Sequence, residues 1–247
     1  MDEGRPGIGV LISGRGSNLQ AILEAIRDGR LNADLRIVIS SRADAAGLDH
    51  ARRAGVETLA LEPRRFATRE LYDRALADAL VARGVRLVCL AGFMRIVGPE
   101  LLKRFPDAIL NVHPSLLPAF PGLEAQRQAW EYGVKVSGAT VHIVDEGLDS
   151  GPIVLQSAVP VLDDDTPEAL AARILVEEHR LYPEAIGLML DTPPVRGGRR
   201  LGPARELPRE TRERRALKPG RAMEGGDARG VTRSPGGGEA PEPPAGS

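Results

Sequence analysis

The run Ala108-Ile109-Leu110-Asn111-Val112-His113-Pro114-Ser115-Leu116-Leu117-Pro118 decides how this chain is read. Three apolar residues in succession read as a strand buried on both faces. The run then turns into a polar pair and two prolines. Alternate residues of a strand share a face, so Asn111 and His113 point the same way. Pro114 has no N–H to give a ladder and biases His113 toward an extended backbone. An amide and an imidazole are thereby held together at the mouth of a sheet, where open α/β folds place their ligands.

Outward from this strand, short apolar runs alternate with amphipathic stretches. Strands are expected at residues 8–12, 35–39, 58–61 and 87–90, and helices at 17–27, 44–54 and 69–83. Leu19, Ile22, Leu23 and Ile26 share one face of the first helix, and Gly55 and Gly84 stop the next two. This βαβα order predicts a doubly wound, mostly parallel sheet. After His113 the pattern changes. Residues 140–144 and 153–159 read as strands around a turn with Gly147, Gly151 and Pro152, and 167–181 read as a helix capped by Thr166 with Pro167 first. From Thr192 onward Gly, Pro, Arg and Glu dominate. That composition buries too little apolar surface to offset its ordering entropy. The expected organisation is one folded domain, 1–191, and a disordered tail, 192–247.

The chain has 247 residues and a net charge of −1. Near-neutrality argues against a dedicated nucleic-acid partner, whose phosphates need a basic surface. Cys89 is the single cysteine, so no intramolecular disulfide forms, and its apolar neighbours mark it as inert core. No apolar stretch approaches the ~20 residues of a membrane span. Asp2 and Glu3 do not fit a signal-peptide start, so a cytoplasmic protein without a membrane partner is expected. The four histidines lack metal-site spacing, and no metal is expected. Of these, His50 reads as surface helix and His142 as structural.

The turn Ser13-Gly14-Arg15-Gly16-Ser17-Asn18 follows a strand and opens a helix. Gly14 and Gly16 allow close backbone approach, and the helix start favours an anion. Ser17 and Asn18 add side-chain donors. The turn matches neither a dinucleotide fingerprint nor a Walker loop, so a single phosphate suits it. Other candidates are ambiguous from position alone. Asp149 in a glycine-flanked loop reads as an Asx turn, Arg69 as a solvated helix charge, and Glu178 as an exposed one.

Four stretches change that weighting. They are residues 111–118, 13–20, Leu90-Ala91-Gly92-Phe93-Met94-Arg95, and Asp145-Glu146-Gly147-Leu148-Asp149-Ser150-Gly151-Pro152. In this order and spacing the chain, over about residues 7–190, resembles the 10-formyltetrahydrofolate-dependent formyltransferases, and within them the glycinamide ribonucleotide branch of purine synthesis. The resemblance implies a formyltransferase-type Rossmann-like fold. It makes His113 the proton donor, Asn111 the formyl-oxygen contact, and Asp149 the carboxylate that raises the histidine's pKa. It gives Gly16, Ser17, Asn18 and Glu178 to glycinamide ribonucleotide. It gives Arg69, Met94, Arg95, Ile96, Val97 and Asn111 to the folate co-substrate. A monomer or a homodimer is compatible with it.

Competing relatives fit less well. Formyltetrahydrofolate deformylase normally has an N-terminal regulatory domain, whereas here a strand begins within about ten residues. Methionyl-tRNA formyltransferase has a folded tRNA-binding domain, for which this tail is too short and polar. Sugar-nucleotide formyltransferases generally lack the Gly-Ser-Asn turn, and a folate-binding scaffold would be expected to lose Asn111, His113 or Asp149. Two departures from the family pattern stand out: Glu124, where relatives often carry His, and Ser41, where they often carry Asn.

Overall fold

A computed structural model describes residues 4–191, 196–197 and 200–201. Seven strands form one sheet in the order β3-β2-β1-β4-β5-β6-β7. The strands are β1 (Gly7–Ile12), β2 (Asp34–Ser40), β3 (Thr58–Ala60), β4 (Leu87–Leu90), β5 (Ile109–His113), β6 (Val136–Ile143) and β7 (Ile153–Pro160). The first five are parallel, and β6 and β7 are antiparallel to their neighbours. The doubly wound, mostly parallel sheet expected from the sequence is therefore the observed one.

Alternation along β1 divides the core. Ile8, Val10 and Ile12 face α1 (Ser17–Arg27), α2 (Gly47–Arg53) and α6 (Pro167–Asp191). Leu11, with Ile37 and Ile39 of β2, faces α3 (Arg69–Val81) and α4 (Pro99–Arg104). The central strands β1 and β4 are thus covered on both sides, which is why every residue of both is buried and none is charged. The chain winds outward from β1 to β3, then returns to β4 on the other side. Between β1 and β4 the order reverses, opening the crevice in which such folds bind ligands.

Several element bounds differ from expectation. The second helix begins at Gly47, not near Asp44, and α4 and α5 (Ala125–Tyr132) were not anticipated, because α4 buries only Leu101 and α5 only two alanines, Ala125 and Ala129. Helix α6 continues through Pro183 to Asp191, ten residues past the expected end, because Tyr182, Ala185, Ile186 and Met189 extend its buried face. Tyr182 Oη anchors it by donating to Leu90 O (2.9 Å) and Leu110 O (3.0 Å), the ends of β4 and the middle of β5. The tail expected at 192–247 lies outside the described residues, except for a short antiparallel pair, β8 (Arg196–Gly197) and β9 (Arg200–Leu201). Leu201 packs on the core. Cys89 is fully buried, and burial pushes its thiol pKa up, as its apolar setting implied. Among the described residues no helix is long and apolar enough to cross a membrane.

Candidate active site

Strand β5 extends through Asn111 to His113. The antiparallel ladder sets Asn111 opposite His142 and His113 opposite Thr140. Asp149 arrives from the loop after β6, in a left-handed conformation (φ 47°) that aspartate tolerates better than most residues. Its Oδ2 lies 3.3 Å from His113 Nδ1 and accepts from Gly122 N–H at 2.8 Å. Its Oδ1 lies 3.5 Å from Asn111 Nδ2 and 3.6 Å from His142 Nε2. The three residues singled out in the sequence therefore converge. Burial alone would push the Asp149 carboxyl up. The His142 ring, the Gly122 N–H and the His113 ring outweigh that and hold it below the usual carboxylate range.

The His113 ring is 4% exposed. Its Nε2 lies 2.8 Å from Phe120 O, so that nitrogen carries a proton, because a carbonyl only accepts. Its other nitrogen faces the Asp149 carboxylate. Both ring nitrogens thus face acceptors.

Local chemistry explains how these groups are held. Thr140 Oγ1 donates to Ser115 O and accepts from Leu117 N–H and from Gln156 Nε2, pinning the loop that carries Phe120 O. Ser115 Oγ closes the same loop on Ala119 O. On the far side, Asp145 Oδ1 accepts from Gly147 N–H and Ser150 Oγ, an Asx-type closure that fixes the path into Asp149.

The glycine turn between β1 and α1 forms where the sequence placed it. Gly16 is the residue before α1, with φ 77°, and no side chain caps the helix. A Cβ on Gly16 would meet Gly47 Cα at 2.7 Å, so glycine is required both by conformation and by contact. Gly14 O accepts from Gly47 N–H at 3.0 Å, resting the turn on the start of α2. Asn18 is buried, donates from Nδ2 to Glu178 Oε2 at 2.7 Å, and leaves its Oδ1 buried without a protein partner. Glu178 is 6% exposed, which corrects its positional reading as an exposed charge. α6 packs against α1, so this carboxylate faces the turn. Burial pushes it up to about 7, although the Asn18 bond pulls the other way.

The stretch 94–97 follows β4 across the crevice. Met94, Arg95 and Ile96 are exposed, whereas Val97 is buried in the core beside Tyr72, Leu76 and Leu101. Val97 can therefore offer a ligand its backbone, while its side chain belongs to the packing. Arg69 Nη2 donates to Ile96 O at 2.9 Å, and its Nε lies 3.8 Å from the buried Asp73. It braces the stretch from the start of α3, with half its side chain exposed.

Sequence reasoning undervalued His142. Its Nδ1 donates to Ile143 O at 3.0 Å, and its Nε2 lies 3.2 Å from Asn111 Nδ2. The available signal was the two-residue spacing of Thr140 and His142, which matches Asn111 and His113 once the strands pair. Of the two departures, Ser41 shares a hydrogen bond with Ser13. Glu124 takes a left-handed conformation (φ 55°) at the start of α5 and pairs with Arg127.

A family model described as "Formyl transferase" matches residues 7–186. The chain is 45% identical over 182 residues to the "Phosphoribosylglycinamide formyltransferase" of Escherichia coli (strain K12), covering 74% of this chain and 86% of that protein. It is 45% identical over 193 residues to the "Trifunctional purine biosynthetic protein adenosine-3" of Drosophila melanogaster, covering 77% of this chain but only 14% of that longer protein. Among solved structures, glycinamide ribonucleotide transformylase 1 from Symbiobacterium toebii is similar, with 59% identity and a TM-score of 0.79. The match covers 81% of this chain and 94% of that one.

Proposed function

The chain belongs to the formyl transferase family, and from that premise we propose that it moves the formyl group of 10-formyltetrahydrofolate to the amine of glycinamide ribonucleotide, giving formylglycinamide ribonucleotide and tetrahydrofolate. The observation that carries this reading is the convergence of Asn111, His113 and Asp149 at one end of the crevice, with the Gly16-Ser17-Asn18 turn and Glu178 at the other. The catalytic trio supplies formyl chemistry. The turn supplies an acceptor that carries a phosphate.

The acceptor's neutral amine attacks the formyl carbon, forming a C–N bond and placing negative charge on the formyl oxygen. The Asn111 amide is a donor for that oxyanion, and His113 becomes one when its Nε2–H exchanges Phe120 O for the formyl oxygen. The carbon–N10 bond then breaks, and the proton lost by the attacking amine goes to N10. Asp149 holds the His113 ring through Nδ1 while Phe120 O holds Nε2, so the ring has one orientation when substrates enter. At the other end, backbone N–H groups of the uncapped α1 receive the phosphate, Asn18 Oδ1 gains the partner it lacks, and Glu178 accepts from the ribose. Arg69, Met94, Arg95, Ile96 and Val97 form the folate side, with Ile96 presented by the Arg69 bond. The cytoplasm is the compartment in which this reading places the enzyme.

The test is formyl transfer assayed with glycinamide ribonucleotide, water and a sugar nucleotide as competing acceptors. Product should form with the first. Turnover with water alone would replace this reading by a deformylase, and folate binding without turnover would make the chain a binding protein. His113→Ala should lower kcat by about 10²–10⁴ and Asn111→Ala by about 10²–10³.

A further inference from the structure

Resting on that reading, we infer that Ser13 is a positioning residue that couples the two substrate subsites, so that filling one tightens the other. Ser13 directly follows β1 at the point where the strand order reverses, and it is 7% exposed. Its Oγ accepts from Met94 N–H at 2.9 Å, the first residue of the folate stretch. The same Oγ shares a 2.7 Å hydrogen bond with Ser41 Oγ, on the loop that leads into α2. Its own N–H donates to Gly92 O at 3.1 Å, before that stretch. The next residue, Gly14, opens the phosphate turn and is tied to Gly47 at the start of α2.

One buried hydroxyl therefore joins three loops: the phosphate turn after β1, the α2 approach after β2, and the folate stretch after β4. A hydroxyl has one proton to give and two lone pairs to offer, and this one meets both neighbours at hydrogen-bonding distance. An anion ordering residues 14–18 fixes Ser13, and Ser13 fixes the Met94 backbone. The reverse holds equally, because coupling between two bound ligands is reciprocal. Ser41, one of the two departures from the family pattern, serves here as the third member of the bridge.

Tetrahydrofolate and glycinamide ribonucleotide together carry no formyl group, so both bind without turnover. Calorimetric titration of tetrahydrofolate, with and without saturating nucleotide, reads the coupling directly. The wild type should bind tetrahydrofolate at least about fivefold more tightly when the nucleotide is present, within the ~5–150-fold span usual for linked sites. Ser13→Ala should bring that ratio toward one. Ser41→Ala, which leaves the Met94 bond in place, should fall between. A purely structural role for Ser13 would lower stability or both affinities but leave the ratio unchanged, and that result overturns the inference. So does a wild-type ratio of one. If the wild type fails to bind the nucleotide at all, the substrate reading falls and takes the coupling with it. Binding of both ligands with equal ratios in wild type and Ser13→Ala rejects the coupling alone.

Discussion

Glu178 and Asp149 are both carboxylates in the site, and their surroundings push them in opposite directions. Burial lifts Glu178 from 4.5 to about 7, so the folded chain keeps a proton that the unfolded chain releases between those values. Its contribution to stability is complete below about pH 4.5 and is lost, by about 3 kcal/mol, as pH rises through about 7. Glu178→Gln should flatten that part of the curve. Urea titrations at about pH 5 and about pH 8 would measure it, and equal losses in both proteins would refute it. Asp149 is lowered, so its contribution is present above the usual carboxylate range and is lost as pH falls through its folded pKa. Asp149→Asn should blunt the acid side of the stability profile while abolishing most turnover. Asn111 and His113 were legible as a pair because a strand has a fixed period of two. His142 was not, because facing across an antiparallel ladder depends on register, and nothing local to residues 140–144 sets it.

Element ends set much of the site's geometry. β5 delivers Asn111 and His113, β6 delivers Thr140 and His142, and α6 brings Glu178 to α1. Tyr182 holds α6 to the sheet through one hydroxyl shared between two carbonyls. Tyr182→Phe leaves those buried carbonyls without this donor and should cost about 1–2 kcal/mol, read as a lower urea midpoint at unchanged slope. Gly47→Ala tests the support under the phosphate turn. Its Cβ would meet Ile12 Cδ1 at 2.7 Å and both Gly14 O and Gly16 Cα at 3.1 Å. The turn must give by a few tenths of an ångström, so KM for the nucleotide should rise about tenfold and KM for the folate by less, through the Ser13 bridge. An equal rise in both would contradict this. Most strands and the first helix were legible because their apolar periods are long or continuous. α4 and α5 were not, since one buried leucine and two buried alanines leave too weak an apolar stripe for a period to register.

Across the whole molecule, the proposed nucleotide would bridge α1 and α6, which the fold joins by packing and by the Asn18–Glu178 hydrogen bond. A nucleotide held by α1 and α6 binds the folded state alone and should stabilise it by about 2.7 kcal/mol at a hundredfold excess over Kd. For a domain of this size that is a Tm rise of roughly 5–11 °C. Asn18→Ala should remove the nucleotide's shift and keep that of tetrahydrofolate. Loss of both shifts would mean that Asn18 supports the fold and not the nucleotide subsite. The sequence by itself determined the α/β class, the doubly wound and mostly parallel sheet, the glycine turn that opens the first helix, and the Asn111–His113 pair. Each follows from local periodicity, or from residues with restricted or permissive backbones. The tertiary structure alone decided that His142 stands beside Asn111, that Glu178 is buried against Asn18, that Val97 turns into the core, and that Ser13 bridges three loops. Those facts depend on register and on which helix packs over which turn. Both are set by contacts between segments distant in sequence, which no local pattern encodes.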